Sequence, residues 1–88
     1  MRELIGDPAT YEQLAEECTE LAKAALKMAR ILRGENPTPV TSDECMANMV
    51  EEASDVVLCL NDLGIEADKD IMRAKMARFH SRWDEAHG

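Results

Sequence analysis

From Gly34 through Asp68 the chain carries nine acids and not one Lys or Arg. Exposed helical sequence ordinarily interleaves basic residues with its acids, so this stretch needs counter-cations from outside itself. No run approaches the roughly 18 consecutive apolar residues of a membrane span, and the N-terminal residues lack a secretory pattern. Cysteine is sparse and unpaired. Cys18, Cys45 and Cys59 are odd in number, widely spaced and without a CxxC, which points to reduced thiols in a cytoplasmic protein and away from a disulfide framework. His80 and His87 sit far from every cysteine in the sequence, so zinc is not expected either.

What remains is an acidic, apolar-rich chain of 88 residues with a formal charge of −8 and 45% hydrophobic residues. The charge disfavours duplex DNA or an anionic membrane as the main partner and favours cations. A chain this short buries only about 60–65% of the surface its unfolded form exposes. With disulfides and zinc set aside, packing against a second copy is the remaining way to cover enough apolar surface, and an oligomer is expected.

The pattern is all-α, in one domain over residues 1–88. Met1–Gly6 carries no assignment. Asp7-Pro8 reads as a helix entrance, with Thr10 and Gln13 as a second capping option. Leu14, Cys18, Leu21, Ala25, Met28 and Leu32 then recur in steps of four and three, and Gly34 stops the helix. Two prolines make residues 34–40 a connecting loop. Thr41-Ser42-Asp43-Glu44 matches a capping box, followed by a second stripe of Met46, Met49, Val50, Ala53, Val57, Leu60 and Leu63, closed by Gly64. A third helix starts at Ala67 or Asp68 with the stripe Met72, Met76, Phe79 and Trp83. The six methionines read as core filler. No segment alternates with period two over a useful length, so no sheet is expected.

Two helices carry the same acidic signature: Glu16-Glu17-Cys18-Thr19-Glu20 and Glu51-Glu52-Ala53-Ser54-Asp55. Residues three apart on a helix lie about 60° apart around its axis and one turn along it. Glu17 with Glu20, and Glu52 with Asp55, therefore present paired carboxylates, at a cost of a few tenths of a kcal/mol per pair. Solvated helix faces are the plain alternative. Against it stand the missing basic residues of the second helix and the position of both pairs beside the apolar stripes. Antiparallel packing, which a short connection favours, would bring the two pairs to one seam. Four carboxylates there would make a hard-oxygen site suited to Mg²⁺ or Mn²⁺, with water and substrate phosphates completing the shell. A di-iron bundle would ordinarily add Glu-x-x-His pairs, which both motifs lack.

With these motifs the chain resembles the MazG-like, all-α nucleoside triphosphate pyrophosphohydrolases. The likeness rests on Glu16-Glu17-x-x-Glu20 followed by Glu52-x-x-Asp55, on their flanks LAEECTELAKAALKMAR and NMVEEASDVVLCLNDLG, on the NPTP loop between them, and on a basic closing helix with Lys75, Arg78, Arg82 and Trp83. It spans residues 10 to about 83. The resemblance implies a helical bundle completed by oligomerisation, as a dimer or tetramer with active sites at helix seams. It implies Mg²⁺ ligation by Glu17, Glu20, Glu52 and Asp55. The reaction it implies is cleavage of a nucleoside triphosphate to monophosphate and pyrophosphate, with house-cleaning of the nucleotide pool as the associated role.

The spare carboxylates Glu16 and Glu51 are candidates for positioning the attacking water. Lys75, Arg78 and Arg82 lie at i, i+3 and i+7 on one helix face, placed either to clamp phosphates or to pair with the acid-only helix. Lys27 is a further candidate for phosphate, and Asn48, one turn before Glu52, for a base or ribose. Phe79 and Trp83 suit a core stripe better than a stacking platform. A non-catalytic oligomeric helical module, or one that binds nucleotide without turnover, is the competing class.

Overall fold

In the computed structural model, which describes residues 1–35 and 40–88, four helices follow one another: α1 (Arg2–Ile5), α2 (Asp7–Arg33), α3 (Ser42–Asp62) and α4 (Lys69–His87). No strand occurs among the described residues. Residues 36–39, part of the expected connecting loop, lie outside the described residues. Among the described residues no helix is long and apolar enough to cross a membrane.

Local chemistry sets most boundaries as expected. Pro8 occupies the first turn of α2, where its missing amide costs nothing. Gly34 ends the helix in the left-handed region at φ 67°, with its own N–H donating to Ile31 O and that of Glu35 donating to Arg30 O. Gly64, at φ 72°, repeats the device after α3: Gly64 N donates to Asn61 O and Ile65 N to Leu60 O. Both are Schellman closures, and a side chain at either glycine would meet the left-handed penalty. Thr41 caps α3 by accepting from Glu44 N at 3.1 Å, and Asp68 caps α4 by accepting from Asp70 N and Ile71 N.

The start of the chain differs from expectation. The unassigned opening residues form the short helix α1, and Asp7 is no cap. Its carboxylate instead accepts from Arg2 Nε at 3.1 Å and Nη2 at 3.0 Å, which holds the Asp7 carboxyl below its ordinary value. Thr10 does not cap either. It lies inside α2, fully buried, and its hydroxyl donates to Gly6 O at 2.8 Å. Arg2 N donates to Asp62 Oδ2 at 2.8 Å, tying α1 to the far end of α3.

Packing joins α2 to α3 and, more lightly, α1 to α2. Cys45 Sγ donates to Ala24 O at 3.6 Å, Glu17 meets Glu52 and Asp55, and Arg2 meets Asp62. These pairings run in opposite directions along the two chains, so α2 and α3 are antiparallel. Ala24, Met28, Cys45, Cys59 and Leu63 form the buried apolar core. Small residues at the crossing let the helices approach closely.

The buried faces are rotated from the expected stripes. On α2, Met28 is buried and Leu14 and Leu21 are half-buried, but Cys18, Ala25 and Leu32 are exposed. On α3, Leu63 is buried and Met49, Ala53 and Leu60 are half-buried, whereas Met46, Val50 and Val57 face outward and Cys45, Val56 and Cys59 turn inward. The apolar arc of this helix is wide, so periodicity admits two faces, and the one with small side chains packs. The stripe on α4 is not buried among the described residues: every residue of α4, including Met72, Met76, Phe79 and Trp83, is exposed.

Candidate metal centre

The antiparallel seam places the middle of α2 beside the middle of α3, where the two acidic motifs lie. One carboxylate oxygen each from Glu17, Glu52 and Asp55 lies within 4.8 Å of the others, and all three residues are half-buried. Two helices contribute, so no single run of sequence makes the cluster. Glu17 is held from its own helix by Gln13, whose Nε2 donates to Glu17 Oε1 at 2.7 Å.

Electrostatics concentrate on Glu52. Its carboxyl is pushed above the ordinary value 4.5, first by partial burial and then by the charges of Asp55, Glu17, Glu20 and Glu51. Among the described residues no Lys or Arg forms an ion pair with Glu17, Glu52 or Asp55. The thiol of Cys59, nearly fully buried, is also pushed up, chiefly by burial and secondarily by Glu17 and Asp55. A pocket of about 180 Å³ opens here, lined by Met1, Gln13, Glu17, Asp55, Leu58 and Cys59.

The donor set fits a hard divalent cation. Oxygens sharing an octahedral Mg²⁺ at about 2.1 Å lie roughly 3–4 Å apart, and one oxygen from each of the three carboxylates lies within 4.8 Å of the others. Carboxylates alone, with no imidazole and a protonated thiol, suit Mg²⁺ or Mn²⁺ over softer metals. Such an ion would relieve the repulsion that raises Glu52.

The other expected site residues are dispersed. Glu20, grouped with the metal ligands in the sequence, is exposed, stands outside the three-carboxylate cluster and pairs with Lys23 at 3.5 Å. Its charge still acts on Glu52. Glu16 and Glu51 are exposed on the flanks of their helices. Asn48 is exposed one turn before Glu52 on α3, and Lys27 is half-buried on α2, about three turns past Glu17. Lys75, Arg78 and Arg82 share one surface of α4 with Phe79, and within the chain they form no ion pair with the acids of α3. Gln13 and Cys59 were not anticipated. Each lies four residues from an acidic ligand, Glu17 or Asp55, and that spacing is the signal that could have found them.

No family model, no curated protein and no solved structure matches this chain.

Proposed function

We propose that the chain is a Mg²⁺-dependent nucleoside triphosphate pyrophosphohydrolase of the MazG-like kind, working as a homo-oligomer. The observation that carries the proposal is the convergence of Glu17, Glu52 and Asp55 from two antiparallel helices, with no basic side chain paired to them among the described residues. A cluster of carboxylates with no Lys or Arg beside it keeps its full negative charge available to a cation. The half-burial of the three carboxylates and the raised Glu52 carboxyl fit the same role.

Bound Mg²⁺ would neutralise and orient triphosphate oxygens and lower the pKa of a coordinated water. Glu17, Glu52 and Asp55 hold the cation end of the site, and Glu20, one turn from Glu17, is placed to join them on rotation of its exposed side chain. Glu16 and Glu51 flank the cluster, where a carboxylate can take the proton of the attacking water. The water oxygen bonds to phosphorus, the bridging P–O bond between the α and β phosphates breaks, and monophosphate and pyrophosphate leave. The cations Lys27, Lys75, Arg78 and Arg82 are the groups available for phosphate, and Asn48 for the nucleoside.

The test is incubation with Mg²⁺ and a panel of nucleoside triphosphates, followed by separation of products. Pyrophosphate and nucleoside monophosphate are expected, with none in EDTA, and Asp55→Asn should reduce the rate more than tenfold. Orthophosphate with a diphosphate product would overturn the cleavage position.

One observation favours a second reading, a non-catalytic oligomeric helical module: α4 offers an exposed apolar stripe bordered by basic residues, a form suited to docking. Mg²⁺ binding without turnover of any triphosphate would select it.

A further inference from the structure

The chain presents more surface than a finished globule of its mass. Its accessible surface is 6979 Å², against about 5,200 Å² for a folded monomer of 9.8 kDa. Its radius of gyration is 16.8 Å, against about 12 Å for a compact 88-residue domain. The excess, on the order of 1,800 Å² per chain, is what a substantial homodimer interface covers.

Two exposed apolar faces contribute to it. On α3, Val50, Ala53, Val57 and Leu58 line an open groove with Ser54 and Asn61. On α4, Met72, Met76, Phe79 and Trp83 recur at i, i+4, i+7 and i+11, and each is more than half exposed. At about 100° per residue, Lys75 and Arg82 border the α4 stripe on one side, and Lys69 and Arg73 border it on the other. The same projection sets Glu51 along one edge of the α3 groove. The α3 segment has acids and no Lys or Arg, whereas α4 carries five Lys and Arg against three acids. Each face lacks what the other has.

We infer that α4 of one protomer packs its Met72–Trp83 stripe into the Val50–Leu58 groove of a second copy, setting its flanking cations against the partner's acidic α3. Two such contacts form per dimer, one from each α4, so the interface is self-complementary and closes. The exchange brings the cations of α4 beside the partner's Glu51, at the edge of its α3 groove. The inference deepens the homo-oligomer part of the proposed function and is independent of its chemistry.

Sedimentation should give twice the 9.8 kDa chain mass. Met76→Glu should halve that mass with helicity retained, since Met76 takes no part in the protomer core and a new acid would face acidic α3. A short bis-maleimide should link Val57→Cys to Phe79→Cys, each in a Cys18→Ser background, when the two single variants are mixed. The double variant should cross-link between chains. An intrachain link would mean that α4 folds back on its own α3, and a 9.8 kDa particle would leave the faces to another partner. A dimer without the 57–79 link would use a different face. Each of these three results overturns the inference, and none depends on pyrophosphate release, so its failure is distinguishable from failure of the enzymatic proposal.

Discussion

Gln13 donates a 2.7 Å hydrogen bond to Glu17, the α2 carboxylate that meets Glu52 and Asp55 of α3 across the seam. The bond holds the Glu17 carboxylate in place at the seam. Groups that orient a ligand in this way tune metal affinity without touching the metal. Gln13→Ala is therefore expected to raise the Mg²⁺ concentration at half-saturation by about tenfold. Far-ultraviolet circular dichroism should be unchanged, because Gln13 is not part of the apolar core. Unchanged Mg²⁺ binding in this variant would remove Gln13 from the site.

The acid cluster also sets a direction for stability against pH. Glu52 has its carboxyl raised in the folded chain, so the folded state holds a proton that the unfolded state releases. Its contribution is complete below the ordinary value 4.5 and is lost as pH rises through the higher folded value. Asp7, lowered by Arg2, works in the opposite sense. The difference between wild type and Glu52→Gln isolates the first effect. In EDTA, urea melts should show the variant gaining on the wild type as pH rises above 4.5. A constant difference across that range would mean that Glu52 titrates normally.

The three long helices were legible because their determinants are local, whereas α1 (Arg2–Ile5) was not. Pro8, Gly34, Thr41, Gly64 and Asp68 act within a turn of their own positions, and each marks a boundary of a long helix. The acid pairs were legible for the same reason, since i, i+3 spacing puts Glu52 beside Asp55 on any α-helix. The inward rotation of α3 was not. Met46, Val50 and Val57 are as apolar as Cys45, Val56 and Cys59, and only the fit against α2 decides which set is buried. Register across the seam is equally non-local, which is why Glu17 joins Glu52 and Asp55 while Glu20 stays outside. The α4 stripe was readable as a face to be covered, but periodicity carries no information about what covers it.

Thiol chemistry offers an independent check on the packing. Cys18 is exposed, whereas Cys45 and Cys59 are buried to 2% and 1% exposure. A thiol reagent at neutral pH should label one cysteine per native chain quickly and all three after unfolding. Cys59 should be slowest in the native protein, because burial and the neighbouring carboxylates disfavour its thiolate. Rapid native labelling of Cys45 or Cys59 would contradict the buried seam beside Ala24 and Glu17.

Mg²⁺ itself gives the most direct test of the seam. Without metal, Glu17 of α2 repels Glu52 and Asp55 of α3, so the packing of α2 on α3 is weakened where the acids meet. A cation that binds only the folded arrangement stabilises it by mass action, about 2.7 kcal/mol at one hundred times Kd. For a domain of this size that corresponds to a Tm increase on the order of 10 °C. Glu52→Gln keeps the side-chain volume and removes one ligand charge, so it should start from a higher Tm in EDTA and gain much less from Mg²⁺. Glu12→Gln, an exposed acid of α2 outside the cluster, should gain as much as the wild type. The sign of the two effects together is the signature: one substitution that stabilises the metal-free protein and weakens its metal response. If Glu52→Gln and Glu12→Gln respond to Mg²⁺ alike, the three carboxylates are a solvated helix face and no metal centre.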